Sequence, residues 1–403
     1  MRKLLTILML TLFTFPAAAA QPNFLVIISD DLGWGDLGSF GRVGPSPTPN
    51  IDALAEQGTK YTNFYAAAFC TPSRDGFFTG RHPQRNGLTS ALGINTTIGV
   101  QPRDVLLPEV LRGLGYRTAL IGKWHLGHAT DAQSPINNGF DVFYGSRAGE
   151  LFNYTKHPDK LGNIDWWQSF QRNLPPEYST TAIPREAVAF ITESAGQPWF
   201  AVVSYNAPHF PVQLPGDLRV GFNDKPHYDQ VVGIMDDGIG QLRQRLTELG
   251  IADNTVVIFF SDNGGVGIHV QAFRGEKGSV YEGGWHVPMV AKVPGKAPGV
   301  DKQVRIVEDL FPWIVKQAGG TLPAKLDGRD FAITTERDIF LWQDGNRAMR
   351  RGNWKLVMIG ARAELYNLAT DPKEARNVAG ANPAVVNAMK AALATWQAQV
   401  TKF

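Results

Sequence analysis

Four apolar runs, each delivering ligand-capable side chains at its carboxyl end, constrain this chain more than any other feature of its sequence. Asn23 to Ser29 ends in Asp30-Asp31, and Tyr116 to Ile121 leads into Gly122-Lys123-Trp124-His125. Pro198 to Tyr205 leads into Asn206-Ala207-Pro208-His209, and Thr255 to Phe260 into Ser261-Asp262-Asn263. Continuous apolar runs, rather than alternating ones, are strands buried on both faces, the habit of parallel sheets covered by helices. Ligands bind such sheets beyond the carboxyl ends of the strands. If the four strands are parallel neighbours, their end clusters converge on one site.

Helical segments fall between these runs. Thr48-Pro-Asn-Ile-Asp52 opens a helix through Glu56 that Gly58 closes, and Val105 to Leu114, Pro184 to Ser194 and Tyr228 to Leu249 continue the alternation. Tyr61 to Tyr65 and Val287 to Lys292 read as further strands, and Val304 to Ala318 as a helix. Residues 130–180 lack periodicity and read as a long irregular insertion. Beyond Ala318 the character changes: Asp338 to Trp342, Ala348 to Arg351, Trp354 to Ile359 and Glu364 to Tyr366 are short strands broken by turns, with a last helix over Pro383 to Val400. The expected architecture is α/β, a large and mostly parallel sheet flanked by helices over residues 21–325. A small C-terminal antiparallel sheet with a helix follows over 326–403. A hydrophobic content of 43% supports such a core.

Residues 1–20 have the layout of an export signal: Arg2 and Lys3, an apolar stretch from Leu4 to Phe15, and small residues at Ala17 to Ala20. The apolar stretch is shorter than the ~20 residues that a spanning helix needs, and no later stretch qualifies, so no membrane anchor is expected. The expected product is exported, periplasmic or secreted. Without Arg2 and Lys3 the formal charge falls from +2 to zero. No global basic field remains to draw in nucleic acid or a membrane surface.

Cys70 is the single cysteine of 403 residues. An exported chain with one thiol forms no internal disulfide. It is either a buried apolar residue or a functional one. Pro72 suits a first helical turn and puts Cys70 at a helix N-terminus.

Cys70-Thr-Pro-Ser-Arg74, followed by Thr79-Gly80, resembles the signature of the type I sulfatases of the alkaline phosphatase superfamily. The likeness spans nearly the whole chain. It continues through Asp30-Asp31, Gly-Lys123-Trp-His125-Leu-Gly, Pro-His209 and Ser-Asp262-Asn263-Gly, then Gly275-Glu-Lys277, Tyr281-Glu-Gly-Gly and Glu364-Leu-Tyr-Asn-Leu-Ala-Thr-Asp-Pro. It implies a sulfuric ester hydrolase in which a maturation enzyme converts Cys70 to formylglycine. As its hydrate, that residue presents two hydroxyls. One attacks sulfur, and deprotonation of the other later expels sulfate.

The resemblance further implies that Arg74 anchors the modified side chain, and that Lys123 and His125 bind it and the sulfate, with His125 as base for sulfate elimination. His209 and Lys277 take the position that protonates the leaving alcohol, which departs poorly as its anion. Asp30, Asp31, Asp262 and Asn263 offer oxygen only, which favours Ca²⁺, with Mg²⁺ second, over zinc. Taken alone, the same Asp and Asn residues also suit caps of turns after strands, and His209 suits a structural ring between Pro208 and Pro211. Lys123 and His125, two apart, project to one side if their loop is extended.

One position departs from the pattern: His286 stands where the family carries arginine after Glu-Gly-Gly. Trp166-Trp167, Arg147 and His269 lie in segments able to line the mouth, where tryptophan faces suit sugar rings, although core packing is the commoner role. The expected substrate is a sulfated carbohydrate or another sulfate ester. The rivals are a phosphate or phosphonate ester hydrolase of the same superfamily, and a sulfated-glycan binding protein whose Cys70 stays a thiol.

Overall fold

The computed structural model describes residues 21–172, 174–217 and 224–401, so the expected export signal lies outside the described residues. The strands are β1 (Asn23–Ser29), β2 (Thr59–Tyr61), β3 (Phe64–Tyr65), β4 (Arg117–Gly122), β5 (Val142–Gly145), β6 (Trp167–Gln168), β7 (Gln171–Arg172) and β8 (Trp199–Ser204). They continue with β9 (Thr255–Ser261), β10 (Met289–Lys292), β11 (Gly299–Asp301), β12 (Arg305–Ile306), β13 (Asp338–Gln343), β14 (Asn346–Arg351), β15 (Trp354–Ile359) and β16 (Arg362–Asn367). The α-helices are α1 (Pro49–Gln57), α2 (Cys70–Thr79), α3 (Pro83–Asn86), α4 (Leu107–Gly113), α5 (Ser179–Ser194), α6 (Lys225–Glu248), α7 (Glu282–Trp285), α8 (Leu310–Gln317) and α9 (Pro383–Val400).

The main sheet runs β11-β2-β10-β9-β1-β8-β4-β5-β6-β7. Its centre, β9-β1-β8-β4-β5, is parallel throughout. Side chains alternate across that centre. Leu25, Ile27, Ala201 and Val203 pack under α1, α5 and α6 on one face. Phe24, Val26, Phe200 and Val202 pack under α2, α4 and α8 on the other. Both faces are therefore dry, which is why these strands read as unbroken apolar runs.

The registers put the strand ends level. Ser29 lies opposite Ser261, and Ser204 opposite both Ile28 and Gly122. The expected convergence of the four end clusters holds, because all four strands point the same way and stop at the same edge.

The second sheet, β13-β14-β15-β16, is antiparallel. α9 covers one face through Met389, Leu393 and Trp396. The other face, with Ile339, Leu341 and Val357, packs on Tyr65, Val280 and Trp285 of the larger unit.

Several expectations need correction. Residues 130–180 are not wholly irregular: β5 extends the parallel sheet beside β4, and β6 and β7 form a hairpin at its edge. Tyr61 to Tyr65 is two strands, with β2 in the main sheet and β3 paired to β12. α8 begins at Leu310 because Arg305 and Ile306 are occupied in that pairing. α5 starts at Ser179 and takes Pro184 inside it.

Candidate active site

α2 begins at Cys70 after Phe69 in extended conformation, and all ten of its residues are buried. Its N-terminal turn faces the strand ends. Arg74, one turn on, ties that helix to three of them. Its Nε and Nη2 donate to Asp262 Oδ2 at 3.0 and 2.8 Å, and Nη1 donates to the Lys123 carbonyl at 2.9 Å and to Ser204 Oγ at 2.6 Å. Arg74 thus positions the carboxylates and lysine around residue 70, and no hydrogen bond joins it to the thiol of Cys70.

The cations are held in pairs. Lys123 Nζ lies 2.6 Å from Asp30 Oδ2, with both side chains fully buried. Burial disfavours its charge, but Asp30, with Cys70 and Asp262 behind it, raises its pKa. Lys277 Nζ lies 2.7 Å from Asp31 Oδ1 and 2.9 Å from Oδ2. Burial opposes ionisation of Asp31, yet Lys277, with His209 and Asn263, holds that carboxyl well below the usual range. Asp262 is pushed up, first by burial and then by the neighbouring Asp30 charge.

Oxygen atoms here lack partners. Asp30 Oδ1 and Asn263 Oδ1 are buried with no hydrogen-bond partner among the described residues. Asp30, Asp31, Cys70 and His209 bring one ligand atom each within 4.8 Å of one another. Orphaned buried acceptors among crowded carboxylates suit a hard divalent cation, which satisfies oxygen lone pairs and relieves their repulsion. The residues present therefore fit such an ion.

The two histidines have defined tautomers. His125 Nε2 donates to the Leu92 carbonyl at 3.1 Å, which leaves Nδ1 as a buried lone pair without partner among the described residues. Burial, followed by Lys123, keeps the ring neutral well below its ordinary pKa. The loop is not extended as expected: His125 has φ +59°, so Lys123 and His125 arrive by separate paths. Thr71 Oγ1 fixes the His125 carbonyl at 3.1 Å. His209 Nδ1 donates to the Phe210 carbonyl at 2.6 Å, which leaves Nε2, 3.7 Å from Asp31 Oδ2, to take up and release a proton. The His209 side chain is 12% exposed, at the rim of the site.

Burial pushes the Cys70 thiol up to about 12, against the pull of Lys123 and Lys277. Burial thus disfavours the thiolate that a cysteine nucleophile requires.

Several contributors escaped sequence reading. Ser204, Gly149, Leu92 and Tyr154 all shape the site, Tyr154 by donating its hydroxyl proton to the carbonyls of Asn206 and His209. Gly149 and Tyr154 sit in the stretch without periodicity, and a backbone carbonyl such as that of Leu92 has no sequence signal.

Of the mouth candidates, Trp166 is fully buried and stacks on His157, while Trp167 is half-buried. His269 packs against Gly33 and Gly265 behind the acidic loops. His286 is structural: Nδ1 lies 2.9 Å from Glu282 Oε2, Nε2 donates to the Thr62 carbonyl at 3.1 Å, and the ring stacks on Tyr65 and Phe273. Glu282 also pairs with Lys355, which pairs with Glu374. The C-terminal sheet thereby fastens the Glu-Gly-Gly turn, whose Gly283 N–H donates to the Arg274 carbonyl ahead of Lys277.

Fixed cations and carboxylates at the strand ends of a parallel α/β sheet make an enzyme that works on an anionic ester. Residues 22–320 match the family described as Sulfatase, and this chain belongs to the sulfatase family, the sulfuric ester hydrolases. It is 34% identical over 375 residues to N-acetylgalactosamine-6-sulfatase of Sus scrofa, covering 82% of this chain and 70% of that one. It is 30% identical over 453 residues to arylsulfatase A of Homo sapiens, covering 95% and 89%. The solved structure of Ps i-CgsB in complex with k-i-k-neocarrahexaose superposes with a TM-score of 0.85 at 27% identity, covering 93% of this chain and 92% of that one.

Proposed function

We propose that this chain is an exported, calcium-dependent sulfatase that removes sulfate from a carbohydrate through a formylglycine made from Cys70. The observation that carries the reading is the setting of residue 70. It opens a buried helix among two lysines, three aspartates and two histidines, with a thiol too weakly acidic to react as itself. The formylglycine hydrate supplies the hydroxyl nucleophile that the thiol does not. Asp30, Asp31, Asp262 and Asn263 would hold the cation through oxygen, and a divalent ion there supplies positive charge against the sulfate oxygens.

The chain's own groups account for the rest. Lys123 and Lys277 bring fixed positive charge to the anionic ester. His125, neutral with its Nδ1 lone pair free, is the proton acceptor for release of sulfate. The charged Lys277 holds the proton for the leaving alcohol, and His209 Nε2, bare in the tautomer that the Phe210 carbonyl fixes, passes a proton on only after taking one up. Relatives named for N-acetylgalactosamine 6-sulfate, and a similar structure holding a neocarrahexaose, support a sulfated carbohydrate as substrate. Two units, 21–325 with the site and 326–403 bracing it, form the working enzyme, with 1–20 as its export signal. No helix among the described residues is long and apolar enough to cross a membrane.

Mass spectrometry of the peptide spanning Cys70, from the native host, is the direct test. An aldehyde at residue 70, with turnover of 4-nitrophenyl sulfate exceeding that of 4-nitrophenyl phosphate, supports the reading. An unmodified cysteine in active protein, or a preference for phosphate, overturns it.

A further inference from the structure

This inference rests on the sulfatase reading and concerns what lies beside His125. The β4–β5 pairing continues past the strand ends, with Trp124 N–H donating to the Ser146 carbonyl at 2.9 Å and His125 N–H to the Arg147 carbonyl at 3.1 Å. Gly149 consequently meets the His125 ring so closely that a Cβ would sit 2.1 Å from it. From Gly149 a groove of about 490 Å³ opens between Leu92–Thr96 and Lys160-Leu161. It shares Ile94 and Ala148 with a second chamber of about 320 Å³, lined by the cations Arg147 and Arg172, by His128 and Trp167, and by Asp131, Asp159 and Asp165. The two chambers therefore adjoin, and Gly149, which borders the first, also touches the His125 ring.

Arg147 is 2% exposed, and its guanidinium carbon lies 3.8 Å from the centre of the Trp167 ring. Nη1 donates to Asp131 Oδ1 at 2.9 Å, while Nε and Nη2 have no partner among the described residues. A buried guanidinium with two idle donors is costly unless something accepts from them. The nearby carboxylates are committed elsewhere. Asp165 takes the N–H groups of Arg147, Ala148 and the Trp167 indole, and Asp159 takes those of Leu161 and Asn163. Arg172 adds a second cation 5.2 Å from the same ring. His128 donates through Nε2 to the Ile94 carbonyl and keeps Nδ1 as an acceptor able to take a hydroxyl.

We propose that this chamber is a subsite for a second anionic group, a carboxylate or a further sulfate, on the sugar next to the one whose sulfate ester is cleaved. Arg147 is its specificity-determining residue. The planar fork suits either group, and the Trp167 ring holds it in place without using its two idle donors.

The test compares disaccharides that carry the same sulfate ester beside a neutral sugar, a uronate or a second sulfated sugar. Turnover of 4-nitrophenyl sulfate by the wild type is measured first. Its absence would sink the sulfatase reading and leave the subsite to be judged by binding of the three disaccharides. The expected result is a KM about tenfold lower for one or both doubly anionic substrates, as one charge-assisted contact provides. The uronate and sulfate arms show which group is taken. In Arg147→Met that KM ratio collapses toward one, and Arg147→Lys keeps part of it. An unchanged ratio in folded Arg147→Met overturns the proposal. Equal KM values for all three disaccharides in the wild type overturn it without any variant.

Discussion

His125 joins backbone conformation to chemistry at a single residue. Its left-handed φ of +59° costs a non-glycine residue about 1–2 kcal/mol, and the Leu92 carbonyl and Gly149 hold the ring where that conformation leads. Gly149→Ala drives a methyl into the imidazole, and a misplacement of about 1 Å costs on the order of a hundredfold in rate. Turnover should fall by about that factor while circular dichroism still reports a folded chain. Glu308 gives a different residue-scale prediction. Burial, followed by Asp309 and Asp327, pushes it up to about 8 from 4.5, with Arg337 as the opposing charge. The native state then holds this proton more tightly than the unfolded chain does. Stability is therefore lost as pH climbs from about 4.5 through about 8 and is level above that. Glu308→Gln should remove that slope, raising the melting temperature at pH 8 far more than at pH 4.5. The places of Asp30, just past a strand, and of Cys70, at a helix start, were legible in the sequence, because local pattern and motif coincide there. The role of Gly149 was not, since it depends on a ring that arrives from another strand.

At the scale of elements, the four central strands were legible because burial on both faces leaves an unmistakable apolar run. β5 was missed because Val142–Gly145 is too short to establish a pattern, and its place in the sheet comes from pairing with β4. The split of Tyr61 to Tyr65 was equally invisible, since nothing local tells two strands of different sheets from one. The C-terminal sheet was legible as antiparallel, but its service to the site was not. That service runs through Lys355, which lies 2.9 Å from Glu282 and 2.8 Å from Glu374, all three side chains buried. Lys355→Met strands two buried carboxylates, at a cost of about 3–5 kcal/mol. Denaturant unfolding should show that loss, and the Lys277 loop should become sensitive to protease. His286, the departure from the family pattern, belongs to the same network: it pairs with Glu282 from the side opposite Lys355.

At the scale of the molecule, the proposed ion at the acidic strand ends ties stability to metal. A ligand that binds only the native state stabilises it by about 2.7 kcal/mol at a hundredfold excess over Kd. A chelator should therefore lower the melting temperature and abolish sulfate-ester turnover together, and added calcium should restore both. Asp262→Ala should reproduce the chelated state and be insensitive to calcium. Activity retained in chelator would remove the metal from the reading. The fastening of the Lys277 loop by Lys355 and Glu374 also orders events in time. Translation proceeds at ~5–20 residues per second, so Cys70 leaves the ribosome some tens of seconds before the strands that close the site around it. While that interval lasts, residue 70 belongs to an open, nascent chain, the state in which the proposed maturation to formylglycine would reach it. In the folded chain the same side chain is 1% exposed at the start of a buried helix, out of such an enzyme's reach.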